Sequence, residues 1–300
     1  MNMHTLGKLL IMRYLLPSFL SLLILTPAAF AASDLDVINR AVQSGKIVEA
    51  GGLYKQLIGK NAQRADYHLS YAKFLRATGQ NEAAIREFQT VLQLKPGQTD
   101  ATVGLADMSL QMLDLENAIK YSQQALKSDP NSRQAGMVYA SACMQSGRTT
   151  AADNELAILL KGAPDGDLLH LAYQIKARKG DFLQARSYLQ EAVAQRPDQI
   201  EWMLELCKIL ESSGDYETSR HYLSAVLERQ PNSADARVAL ARNLEVFEND
   251  YDQAIGEYQK VLAVDANSPK ALAGIDRCRA KKNDLALRVK LGLQSMFTHR

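Results

Sequence analysis

Residues 115–130 read LENAIKYSQQALKSDP, and the same cadence returns at 251–266 as YDQAIGEYQKVLAVDA. In the first stretch Ala118, Ser122 and Ala125 are spaced by 4 and then 3. In the second, Ala254, Tyr258 and Val261 keep that spacing. Residues three and four apart share one face of a helix, so both stretches predict amphipathic helices that bury a narrow stripe. Proline cannot continue a helix, so Pro130 marks the end of the first one and the turn beyond it.

Working outward, Pro96, Pro130, Pro164, Pro197 and Pro231 recur at intervals of 34, 34, 33 and 34 residues, four of them in the like contexts VLQLKPGQ, ALKSDPNS, AVAQRPDQ and VLERQPNS. Twelve residues before each stands a small side chain: Ala84, Ala118, Ala152, Ala185 and Ser219. The period extends this column to Ala50 and Ala254. The positions four and seven further on repeat as well, from Tyr54 and Leu57 to Tyr258 and Val261. Upstream in each unit a second helical segment carries pairs such as Tyr71-Ala72, Leu105-Ala106, Tyr139-Ala140, Leu206-Cys207 and Leu240-Ala241. Gly79, Gly147, Gly180 and Gly214 sit in the turns between the two segments, where a left-handed residue closes a helix. The third unit has Leu113 at that place, and the seventh has one residue more, in FENDY.

This two-helix, 34-residue pattern resembles the tetratricopeptide repeat family, whose units carry apolar, small, aromatic and proline positions at fixed offsets. The resemblance covers about residues 33–283. It divides the chain into units at about 32–64, 65–98, 99–132, 133–165, 166–199, 200–233 and 234–268, with a cap over 269–300 in which residues 284–297 read as a capping helix. Ala62 and Ala266 depart from the closing proline, and the first helix of the fifth unit is shifted by about a residue. The family implies an all-α, right-handed superhelical solenoid of about seven repeats with a C-terminal capping helix. The physical reason is general: one helical hairpin cannot bury its stripe alone, while stacked neighbours build a continuous core.

The same resemblance implies a concave face lined by the first helix of each unit, which holds a peptide or a partner helix. In this register the partner-binding candidates are Lys73, Arg76, Asp107, Leu110, Met137, Met144, Lys208 and Arg242, with Asn39, Ser141, Glu211 and Glu245 in the same columns. Leu110, Met137 and Met144 make the centre apolar and fit an amphipathic partner. The competing reading of these three is half-buried packing. Chaperone-binding members of the family hold a C-terminal carboxylate with Lys and Asn at set places. Leu35 and Asn39, then Leu69, Ser70 and Lys73, do not reproduce that clamp.

The first 31 residues read as a secretory signal peptide. Residues 14–25 (YLLPSFLSLLIL) are apolar but short of the ~20 residues a membrane span needs, and Ala29 and Ala31 give a small-x-small cleavage pattern after basic residues. Cleavage is expected after Ala31, with an uncleaved anchor as the alternative and Met12 as an alternative start. No cysteine stands at the cut, and the chain has no N-x-[ST] acceptor, which suits a bacterial envelope. Cys143, Cys207 and Cys278 form no disulfide framework and read as buried small hydrophobes.

Thirty-five Lys and Arg against 33 Asp and Glu leave a net charge of +2, which is no nucleic-acid footprint. The charge is unevenly spread. Residues 270–300 hold eight basic and two acidic residues, among them Lys270, Arg277, Lys281 and Lys282, so this tail could meet an acidic partner or be a solvated end of the array. No HExxH, GxSxG, Walker, GxGxxG or CxxC motif occurs, and His68, His170 and His221 are scattered over different units. No catalysis, cofactor or metal is therefore expected. Trp202 reads as packing rather than a stacking platform. The sequence points to a non-enzymatic, periplasmic scaffold for protein interaction in an envelope machine serving pili, secretion, outer-membrane insertion or polysaccharide export. The rival is an accessory subunit that binds a cell-wall enzyme or glycan through the basic C-terminal end.

Overall fold

A computed structural model describes residues 27–298, and among these residues there is no strand. Helices follow one another as α1 (Pro27–Gln43), α2 (Ile47–Lys60), α3 (Ala65–Ala77), α4 (Asn81–Leu94), α5 (Thr99–Gln111), α6 (Leu115–Ser128), α7 (Arg133–Gln145) and α8 (Thr149–Leu159). Then come α9 (Gly166–Lys179), α10 (Phe182–Gln195), α11 (Ile200–Ser212), α12 (Tyr216–Arg229), α13 (Ala234–Asn243), α14 (Tyr251–Leu262) and α15 (Pro269–Thr298). The result is an all-α repeat solenoid. Its helices gather into two compact units, residues 1–101 and residues 102–300. The apolar stretch 14–25 lies outside the described residues, and the expected cut after Ala31 falls inside α1. No helix among the described residues is long and apolar enough to cross a membrane.

The small-residue column is why the helices of a pair approach so closely. Ala50, Ala84, Ala118, Ala152, Ala185, Ser219 and Ala254 are all buried to 1% exposure or less. Four residues on, Tyr54, Phe88, Ser122, Leu156, Leu189, Leu223 and Tyr258 are buried too, and Tyr258 and Phe88 are among the largest fully buried side chains of the core. A buried serine needs a partner. The Ser122 hydroxyl donates to the Ala118 carbonyl at 2.7 Å, the back-bond that lets a hydroxyl sit inside a helix. Side-chain caps start many of the helices: Asp114, Ser132, Asp165, Asp181, Asp215, Ser233 and Asp250 each accept a backbone N–H of the first turn.

The two irregular turns found in the sequence resolve differently. Leu113 takes a φ of 60°, standing in for the glycine of its neighbours, whose φ lies between 74° and 84° at Gly79, Gly147, Gly180 and Gly214. In the seventh pair the extra residue becomes a π-helical turn, Leu244–Glu248, closed by Asn249 at φ 55°. One inserted residue in an α-helix is absorbed in this way without breaking the helix. The C-terminal stretch 284–297 is not set off as a helix of its own: α15 runs unbroken through thirty residues, since nothing between Lys281 and Leu291 interrupts a helix. Cys143, Cys207 and Cys278 are free and buried, and burial pushes all three thiols up, that of Cys207 to about 11.

Candidate functional site

In the unit formed by residues 102–300, the first helices of consecutive pairs line a chain of shallow cavities. One of about 310 Å³ lies between α11 (Leu204, Cys207, Lys208, Glu211) and α13 (Asp235, Val238, Ala239, Arg242), with Lys270 of α15 beside them. It shares Val238, Arg242 and Lys270 with a second space of about 600 Å³ that continues to Glu245, Val246, Tyr258, Arg277 and Lys281. A third, about 390 Å³, is lined by Met144 and Gln145 of α7, Tyr173, Gln174, Ala177 and Arg178 of α9, and Glu205 of α11. Apolar and charged side chains line all three, which follows from helices whose buried stripe is flanked by solvated positions.

Two of the sequence candidates, Lys208 and Arg242, line the first cavity, and both are exposed. Leu110 and Met137 are half-buried and pack on the core around α7 to α9. Met144 is only 4% exposed, so its side chain belongs to that core and only its edge meets the third cavity. The helix that covers it is α9, whose Arg178 donates to the Met144 carbonyl at 3.2 Å. The apolar centre expected from Leu110, Met137 and Met144 is thus packing to a larger degree than its spacing implied. Asp107 accepts from Gln111 at 3.3 Å. Lys73 and Arg76 lie on α3, in the unit of residues 1–101, where Lys73 donates to Asp100 at 2.7 Å.

Sequence reasoning assigned no groove residue to α9, because the fifth unit is out of step by one. Subtracting that residue leads from Ser141 to Gln174, beside the Tyr173 that the structure shows. Trp202 stacks on His170 with ring centroids 4.5 Å apart and 11° between planes, and His170 also meets Glu205 at 3.0 Å. That face of the indole is therefore occupied by the protein itself.

The basic tail is tied to the seventh pair. Glu245, with a side chain only 3% exposed, accepts from Arg277 at 3.1 and 3.2 Å, from Lys281 at 3.1 Å and from the Tyr258 hydroxyl at 3.2 Å. Burial pushes the Glu245 carboxyl up, but the two cations together outweigh it and hold the group below its usual range. Burial and the neighbouring carboxylate push the Tyr258 phenol up to about 12. Lys270 meets Asp235 at 3.2 Å and Lys282 meets Asp252 at 2.5 Å, both at the surface. Among the described residues no cluster of three or more His, Cys, Asp or Glu side chains has a geometry fit for a metal.

Comparison with known proteins agrees with this architecture. Family models described as tetratricopeptide repeat match residues 36–99, 101–132 and 176–244, which together make up more than half of the chain. A stretch of 157 residues is 31% identical to cellulose synthase 1 operon protein C of Komagataeibacter xylinus, a match covering 48% of this chain and 12% of that protein. The curated relatives it matches are longer, and the chain spans 12% to 36% of their length. Among solved structures, a chain of the APC/C hetero-tetramer Cut9–Hcn1 superposes with a TM-score of 0.62 at 17% identity, over 80% of this chain and 48% of that one. PilF of Pseudomonas aeruginosa does so with a TM-score of 0.60 at 18% identity, over 74% of this chain and 99% of its own. Repeating helix pairs with a buried small-residue column, and family models that match most of the repeats, identify the chain as a member of the tetratricopeptide repeat family, a scaffold for protein interaction.

Proposed function

We propose that this chain is exported to the periplasm of a bacterium, where it acts as a non-catalytic scaffold in the assembly of an envelope machine. The observation that carries the binding role is the pair of open cavities, one between α7, α9 and α11 and one between α11 and α13, each lined by both apolar and charged side chains. A rigid helical surface that offers both apolar and charged side chains suits capture of an extended segment or helix of another protein. Export rests on the leader pattern over residues 1–31. Among envelope processes, polysaccharide export is supported by the 31% identity to a protein named for a cellulose synthase operon.

The test is expression of the tagged full chain in a Gram-negative host, fractionation and crosslinked co-purification. The expected result is a periplasmic protein beginning at Ala32 that brings down envelope proteins in stable ratio. A chain that keeps its leader and stays with the cytosol would end the export reading. A cleaned preparation without any crosslinked partner would end the scaffold reading.

A further inference from the structure

The tail from Lys270 to Arg300 holds the densest positive charge in the sequence, and it is the obvious landing place for an acidic partner. The structure moves that place elsewhere. Arg277 and Lys281 converge on Glu245, Lys270 faces Asp235, and Lys282 faces Asp252, so four tail cations are already offset by carboxylates of the seventh pair. Lys208 and Arg242 differ. They stand 34 residues apart at one register on α11 and α13, both are exposed, and both line the same cavity. Among the described residues neither forms an ion pair. The carboxylate that Arg242 approaches is Glu211, which accepts from the Ser219 hydroxyl at 3.1 Å. Burial pushes the Glu211 carboxyl up, which weakens it as a counter-charge. Beside the two cations lie Leu204, Val238 and Ala239, and the cavity's other carboxylate, Asp235, is the one that Lys270 faces.

We propose that the groove between α11 and α13 holds an acidic, leucine-containing segment of a partner protein, with its carboxylates on Lys208 and Arg242 and its apolar side chains on Leu204, Val238 and Ala239. The proposal rests on the scaffold reading above and names the chemistry of its partner. Neighbouring helices pack about 8–10 Å apart, and an extended chain advances about 3.3 Å per residue, so the two carboxylates belong about three residues apart.

The probe is a fluorescein-labelled peptide of about 15 residues with Glu at every third position and Leu between, read by anisotropy against the full chain at about 50 and about 300 mM salt. Its Lys-for-Glu and Gln-for-Glu analogues are the comparisons. The expected result is saturable binding of the Glu peptide only, weakened at the higher salt. Lys208→Glu with Arg242→Glu should weaken it at least about tenfold, and the milder Lys208→Gln with Arg242→Gln about threefold or more, with unchanged helical spectra. Lys120→Glu with Lys127→Glu on α6 makes the same charge change outside the groove and should alter binding less than about twofold. Equal losses in the α6 and groove variants, preference for the Lys peptide, or no binding by the wild-type chain would overturn the proposal. The scaffold reading falls separately. If the envelope partners of the previous experiment are still captured by the Lys208→Glu, Arg242→Glu chain, this groove is not their site, although the scaffold stands.

Discussion

Glu211 and Glu245 occupy the same position in consecutive repeats, and the two surroundings have opposite effects on them. Glu211, on α11, meets the hydroxyl of Ser219 and has Arg242 nearby, so burial prevails and its carboxyl is pushed up. Glu245, in the π-turn after α13, is buried more deeply yet held down, because Arg277 and Lys281 reach it from α15. One period before those two cations stand Asn243 at the end of α13, whose amide donates to the Tyr216 carbonyl at 2.8 Å, and Phe247 of the π-turn, which stacks on Tyr216. The lesson is that a repeat register fixes where a carboxylate stands, while the next helix along decides which way its titration is pushed. Around Glu211 the cations Lys208 and Arg242 face a groove. Around Glu245 the cations of α15 fasten the terminal helix.

The sharpest way to break this contrast is to push α15 away. Gly274 lies so close to Tyr258 that a Cβ there would stand 2.2 Å from the ring. Gly274→Ala should therefore cost about 2–3 kcal/mol in urea unfolding, through overpacking that also pulls Arg277 and Lys281 off Glu245. A change below ~0.5 kcal/mol would show that the close approach of α15 is not what organises this end. Next in size is Arg277→Ala with Lys281→Ala, which strands a nearly inaccessible carboxylate. Removing partners from a fully buried pair costs about 3–5 kcal/mol, but these cations are half exposed, so about 2 kcal/mol is expected at neutral pH. A carboxyl held below its ordinary 4.5 contributes stability that is present above that value and lost as pH falls through the folded one. The gap between wild type and the double variant should therefore close on acidification. An unchanged gap at low pH would mean that packing, not charge, links α15 to Glu245.

The smallest effect belongs to Glu211, and its sign is reversed. A carboxyl raised above 4.5 favours the fold below that value, and the favour is lost as pH rises through the folded one. Glu211→Gln keeps an oxygen for the Ser219 hydroxyl and removes the charge. It should be neutral or stabilising by less than ~1 kcal/mol at pH 7, with the gain fading below the ordinary carboxyl range. A clear loss of stability at pH 7 would place a cation on Glu211 after all.

Much of the core could be read from spacing. The column from Ala50 to Ala254 and the burial of the three cysteines follow from which face of each helix turns inward, and that face is common to every unit. Exposure within the groove was less legible. Met137 and Met144 share a face by spacing, but Met144 is covered by α9 and Met137 only in part. The fate of the basic tail could not be read at all, since its contacts to Glu245 span 32 and 36 residues.

The amino-acid sequence by itself determined the helix pairs, their 34-residue period and the stripe each helix buries. These are local or periodic properties, set by residues three and four apart and by the glycines and prolines between helices. Tertiary structure alone decided which of the charges at repeat positions are satisfied. Ion pairing across repeats depends on how near the next helix comes, and at the C-terminal end that nearness is set by Gly274 lying against the ring of Tyr258.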